Sequence, residues 1–169
     1  MTEYRDADPA DAGALGTMAR LIFEQTFAAE YEPAAFAAYC DEAFGPALRR
    51  DLADPAVAYR LAVEGAAIVG YAKYSPLMLP APDPAPGAAE LRQLYVRRDR
   101  HGSGVAAALM DWTIAQARGD RASELYLAVF DYNARARAFY ARYGFVEVGE
   151  FDFRLGDRVD RDRIWRLEL

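Results

Sequence analysis

Residues 94–110 read LYVRRDRHGSGVAAALM. An apolar, strand-like start gives way to five charged or ionisable residues, then to Gly102-Ser103-Gly104, and then to Val105, Ala106, Leu109 and Met110 at helical spacing. A glycine-rich turn that opens a helix presents main-chain N–H groups without partners and the positive end of the helix dipole, so its natural ligand is an anion, commonly a phosphate. Two familiar phosphate loops fit poorly. A Walker A loop closes on Gly-Lys-Ser/Thr, which the chain lacks. Gly102 to Ala107 does satisfy the dinucleotide fingerprint G-x-G-x-x-G/A as written, but RRDRH separates the strand from the first glycine, where that fold turns tightly. Only about 65 residues follow the loop, too few for the rest of a doubly wound sheet, and no acidic residue closes the next strand at the expected interval of ~20 residues.

Outward from this loop the chain alternates strand and helix patterns. TEYRDAD reads as a first strand, and Asp8-Pro9-Ala10-Asp11 as a helix start with Asp8 as cap, Pro9 at the first helical position and Asp11 in the first turn. Leu15, Met18, Leu21 and Ile22 supply the apolar stripe that follows. Helices are expected from Pro33 to about Phe44 and over residues 46–53. Two alternating runs about Glu64-Gly65 predict a hairpin of residues 57–63 and 67–74. PLMLPAPDPAPGA carries five of the nine prolines and reads as an irregular, stiff connection or a lid over an acceptor pocket. ELRQLYV is the strand before the loop, residues 103–118 the helix after it, SELYLAVF a strand covered on both faces, and 134–143 a helix ended by Gly144. FVEVGEFDF and RDRIWRLEL form a closing pair. The order is one mixed α/β domain spanning residues 1–169.

Composition narrows the function. A hydrophobic content of 53% with 27% charged residues is globular, and no run approaches the ~18 apolar residues of a membrane span. The acidic N-terminus lacks a basic segment followed by an apolar one, which predicts a cytoplasmic protein. A net charge of −6 disfavours nucleic acid and suits cationic ligands. Cys40 and His101 are the only cysteine and histidine, so no Cys/His metal cluster is expected, and Cys40 reads as a small buried apolar residue.

Two longer patterns carry a resemblance. VRRDRHGSGVA is similar to the coenzyme A loop of the GNAT superfamily of N-acetyltransferases, Val-x-x-x-x-Arg/Gln-x-x-Gly-x-Gly/Ala, with His101, Gly104 and Ala106 at the marked positions. NARARAFYARYGF resembles the second signature of that superfamily at Asn133, Ala136, Phe139, Tyr140, Gly144 and Phe145. The resemblance spans residues 90–150. It implies a central mixed, mostly antiparallel, twisted sheet of six to seven strands flanked by about four helices, with acetyl-CoA as cosubstrate and no metal. It further implies a cofactor site made of the Leu94, Tyr95 and Val96 main chain, the loop His101, Gly102, Ser103, Gly104, Val105 and Ala106, and Asn133, Tyr140 and Arg142. His101 departs from the usual Arg or Gln, keeping a donor whose charge is not permanent. Arg97, Arg98 and Arg100 beside the loop read as a solvated face or as groups that steer a polyphosphate.

Looser motifs, Thr26-Phe27, Phe153 to Asp157 and Asp162 to Ile164, resemble the PaiA-type branch, which implies polyamines such as spermidine and spermine as acceptors. Acetyl transfer to an amine needs the amine neutral, and at pH 7 a primary amine of pKa ~10.4 is neutral in about one molecule in 2,500, a cost of roughly 4.6 kcal/mol. Glu90, at the start of the strand before the loop, is the candidate base, acting through water. Tyr140 is the candidate acid for the departing thiolate. Two acidic groups, Glu24, Glu30, Glu32, Asp41 and Glu42, then Asp152, Asp157, Asp160 and Asp162, suit a polycation or are solvated faces. The reading is a small-molecule primary-amine N-acetyltransferase, a homodimer by family habit. The alternatives are another amine (amino acid, antibiotic or protein) or an acyl-CoA sensor without turnover.

Overall fold

A computed structural model describes all residues, Met1–Leu169. One seven-stranded sheet runs through the molecule in the order β1-β2-β3-β4-β5-β7-β6, formed by β1 (Glu3–Asp6), β2 (Ala58–Glu64), β3 (Ala67–Pro76), β4 (Ala89–Val96), β5 (Glu124–Phe130), β6 (Val146–Leu155) and β7 (Arg158–Glu168). Every neighbouring pair is antiparallel except β4 and β5. Five α-helices cover it: α1 (Ala12–Phe27), α2 (Pro33–Ala43), α3 (Pro46–Ala53), α4 (Val105–Gly119) and α5 (Ala134–Arg142).

Local chemistry explains these elements. The start expected at Asp8 is a capping box: Asp8 accepts from the Ala10 N–H at 2.8 Å and Asp11 accepts from the Asp8 N–H at 2.7 Å, around a 3-10 turn over Pro9–Asp11 that leads into α1. The α1 stripe shifts from the sequence expectation. Leu15, Met18, Ala19 and Phe23 are buried, whereas Leu21 is 47% exposed, because a 3.6-residue period brings 15, 19 and 23 round to one face and turns 21 away. Pro76 ends β3 opposite Ala89, a strand end where a missing N–H costs little.

Period-two alternation sorts the core into two layers. On one face Leu91, Val96, Leu125, Leu127, Val129 and Trp165 pack with Val105, Leu109 and Met110 of α4 and Tyr140 of α5. On the other, Tyr59, Leu61, Ile68, Tyr71 and Leu155 pack with Leu15, Phe23, Phe36 and Cys40 of α1 and α2. Cys40 is 1% exposed, and burial pushes its thiol up, as expected of a packing residue.

Candidate active site

The sheet carries one break in its pairing. Strands β4 and β5 are paired only at Ala89 with Leu125 and Glu90 with Tyr126. Beyond those two pairs the strands diverge, and β4 remains bonded to β3 alone, through Val96 opposite Gly70. Along β4 the main-chain groups alternate in direction. The Arg97 N–H donates to Val69 O at 2.9 Å across β3, so Tyr95, two residues earlier and opposite Tyr71, also spends its main chain on β3. Leu94 and Val96 turn theirs toward the opening.

The loop expected to bind an anion stands at the mouth of this opening. Gly102 and Gly104 lie at φ +80° and +90°, a left-handed backbone that glycine adopts without strain, and a Cβ on either would meet nothing within 4 Å. Gly104 caps α4 with no side-chain bond. The N–H groups of Gly102, Gly104, Val105, Ala106 and Ala107 donate to no acceptor in the protein. These N–H groups and the dipole of a fifteen-residue helix fit a pyrophosphate. Ser103 is turned back, its hydroxyl donating to Arg100 O at 2.6 Å.

His101 does not present its ring to that ligand. Nε2 faces Val96 O at 3.0 Å, and Nδ1 is bonded by the Arg135 guanidinium. A carbonyl only accepts and a guanidinium only donates, so the ring is the Nε2–H tautomer, spanning β4 and α5. Arg135 is thus the cation brought beside the loop. Sequence reasoning passed over it, although a basic residue in the first turn of a helix works against the dipole and is itself a signal. Arg100 pairs with Glu64 at 2.8 Å and Arg97 with Asp99 at 2.9 Å, which leaves Arg98 exposed and without an ion pair.

Helix α5 lines the far wall. Asn133 caps it, accepting from the Ala136 N–H at 3.1 Å. Tyr143 ties it to α4 by donating to Asp111 at 3.0 Å. Gly144 at φ +92° ends it, as the sequence predicts. Tyr140 is buried between Phe139 and Phe145, and burial pushes its phenol up to about 12. Its hydroxyl makes no hydrogen bond, yet it is not among the partnerless polar atoms sealed from solvent. The hydroxyl therefore retains solvent contact. Arg142 lies on the exposed side of α5, its guanidinium over the Phe139 ring at 5.8 Å.

Across the sheet, Glu90 is 6% exposed. One oxygen, Oε2, accepts from the Met78 and Leu79 N–H groups at 2.8 and 3.0 Å, pinning the proline-rich segment over the sheet. The other, Oε1, takes no bond and retains solvent contact. On this face the looser motifs also come together: Phe27 packs edge-on against Phe130 at 5.5 Å and Phe153 against Tyr39 at 5.9 Å, while Asp162 stands opposite Phe130 in register. Most of the acidic clusters are paired internally. Arg20 holds Glu24 and Asp41, Arg50 holds Glu42, Arg158 holds Glu30 and Asp160, Arg161 reaches Asp152 at 3.8 Å, and Glu32 caps α2.

An open cleft of about 640 Å³ lies on the α1 side of the loop, lined among others by Thr17, Leu21 and Arg98, and contains neither Tyr140 nor any of the free N–H groups.

The model of the Acetyltransferase (GNAT) family matches residues 18–145. The chain belongs to the GNAT family. It is 34% identical over 160 residues, 94% of this chain and 98% of the relative, to an uncharacterized N-acetyltransferase of Mycobacterium tuberculosis. Among solved structures, a PaiA N-acetyltransferase from Thermoplasma acidophilum in complex with coenzyme A superposes with a TM-score of 0.77 at 18% identity, covering 100% of this chain and 99% of that one. A ribosomal-protein-alanine N-acetyltransferase from Brucella melitensis superposes with a TM-score of 0.69 at 22% identity, over 99% of each chain. At these identities the likeness concerns the fold alone. This GNAT chain is an acetyltransferase whose acceptor must be argued from its own residues.

Proposed function

We propose that the protein transfers the acetyl group of acetyl-CoA to a primary amine of a small molecule, with a polyamine such as spermidine or spermine as the first acceptor to test. The observation that carries this reading is the early end of β4–β5 pairing, which leaves the main chain of Leu94 and the Val96 N–H without strand partners, near the free N–H groups of Gly102, Gly104, Val105, Ala106 and Ala107; the unbonded Tyr140 hydroxyl supports the same reading. The N–H groups at the head of α4, with Arg135 beside them, hold the pyrophosphate. The opened main chain of β4 takes the pantetheine arm by strand-like bonds. The free side-chain nitrogen of Asn133 bonds the same arm. Bound acetyl-CoA supplies an activated thioester carbonyl.

The chain's own residues handle the protons. Tyr140 stays protonated throughout the neutral range and donates into the crevice. Glu90 offers Oε1 to a water that receives a proton from the acceptor amine, while Oε2 stays committed to the Met78 and Leu79 main chain. The proline-rich segment held by that carboxylate therefore forms one wall of the acceptor pocket. The aromatic and acidic residues of the α1/α2 face form the others. The PaiA-like motifs gather on that face, and this supports a polyamine.

The test is thiol release from acetyl-CoA against spermidine, spermine, amino acids, aminoglycosides and a peptide N-terminus. Turnover with polyamines supports the reading in full, and turnover with another amine keeps the reaction and replaces the acceptor. Tight acetyl-CoA binding without turnover of any amine would overturn it in favour of a sensor.

A further inference from the structure

Of the nine acidic residues in the two clusters, seven have a cation or a main-chain donor. Asp157 lies exposed in the β6–β7 turn, where water serves it. Asp162 is different. It is half-buried, no ion pair or hydrogen bond of the protein reaches it, and its Oδ1 is sealed from solvent without a partner. A carboxylate oxygen buried without a donor is costly, and such groups persist where function requires them.

Position says what it is for. Asp160, two residues earlier on β7, bonds the Tyr31 hydroxyl on the α2 side, and period two puts Asp162 on that same face. Its charge bears on the phenols of Tyr31, Tyr39 and Tyr95, and Tyr95 in turn feels Tyr140. Asp162 therefore faces the acceptor side of the crevice, in an aromatic surround suited to a cation. It stands opposite Phe130 at the open end of β5, whereas Glu90 stands opposite Tyr126 where β4 and β5 are still paired. Four residues of strand separate these positions, on the order of 13 Å along the sheet.

We propose that Asp162 seats a cationic nitrogen of the acceptor other than the one acetylated, so that the enzyme selects amines carrying a second positive charge at a distance. The proposal rests on the acetyltransferase reading above and adds to it a specificity-determining residue. Aliphatic diamines of increasing length, each beside the monoalkylamine of equal length, provide the test in wild type and in Asp162→Asn, with acetyl-CoA affinity and thermal melting measured alongside. Wild type is expected to favour the long diamines at least tenfold in kcat/KM over their monoamines, and Asp162→Asn to erase that preference while leaving monoamine turnover and acetyl-CoA affinity unchanged. Asp162→Glu should restore part of it.

A preference retained in Asp162→Asn, or no preference in wild type, overturns the proposal and leaves the acetyltransferase intact. An equal loss for monoamines and diamines reduces Asp162 to a structural role and overturns it as well. If acetyl-CoA binds and no amine of either series releases thiol, the acetyltransferase reading itself falls, and the seat falls with it.

Discussion

Replacing Tyr140 by phenylalanine separates chemistry from architecture because its hydroxyl has no partner in the protein. Removing a hydrogen-bonded buried hydroxyl strands the other partner and costs about 1–3 kcal/mol; here nothing is stranded. Stability should change by less than about 0.5 kcal/mol, the range of a neutral substitution. The catalytic effect is limited by the same burial. With the phenol at about 12 and a thiol at ~8.5, proton donation in the resting site is uphill by about 5 kcal/mol, so Tyr140 assists only as far as the crevice raises the thiolate too. That places the loss at the low end of general-acid effects, about 10²-fold in kcat. The phenol stays protonated until pH rises toward 12, so it contributes no basic limb below about pH 10. Steady-state thiol release gives kcat, calorimetry the acetyl-CoA Kd, and a melting scan the stability. A kcat within threefold of wild type would show that Tyr140 is a core residue, and a loss of several kcal/mol in stability would show that its hydroxyl is bonded after all.

Three further outcomes follow from single positions. Gly104→Ala puts a Cβ into open space at φ +90°, so it should cost about 1–2 kcal/mol of backbone strain and at least tenfold in acetyl-CoA affinity by calorimetry, because the loop must shift. Gly16→Ala drives a Cβ to 2.3 Å from Phe44 O, a main-chain atom that cannot step aside; melting should show about 2 kcal/mol or more of destabilisation, with kcat of the folded fraction unchanged. Asp162 is raised to about 6 by burial and then by Asp160. Its folded form therefore holds a proton that the unfolded chain has already released, and the stability it allows below pH 3.8 is lost as pH rises to 6. The full shift corresponds to about 3 kcal/mol, discounted to about 1–2 for partial exposure. Asp162→Asn should accordingly raise Tm by about 2 to 8 °C at pH 7.5 and leave it unchanged near pH 4; a lowered Tm at pH 7.5 would contradict the unpartnered carboxylate. Asp160, Tyr31, Tyr39 and Tyr95 are the titratable groups that its charge reaches.

The elements were legible wherever local chemistry decides them. The cap at Asp8, the hairpin at Gly65, the left-handed stop at Gly144 and the glycine loop before α4 are each set by a few adjacent residues. What was not legible depends on pairs far apart in sequence. His101 reads as a phosphate donor until Arg135, thirty-four residues later, occupies one of its nitrogens. Glu90 reads as a free strand-end carboxylate until Met78 and Leu79 claim one of its oxygens. The acidic clusters suggest a polycation surface, and the arginines that neutralise most of them come from other elements, Arg158 reaching Glu30 across 128 residues. Net charge counts these carboxylates; it does not say which are left over.

The crevice and the leftover charge are two forms of one physical cost. A β4–β5 pair continued to the end of both strands would satisfy the main chain of Leu94 and the Val96 N–H and close the opening between the strands. The sheet gives up those bonds, and α4 leaves its first N–H groups open, so the free protein carries a line of polar groups that only a ligand with phosphates at one end and amides along its length can satisfy together. Asp162 repeats the arrangement on the other face with a buried oxygen that a cation would satisfy. If both readings hold, coenzyme A binding and diamine binding should each raise Tm, and Asp162→Asn should abolish only the second.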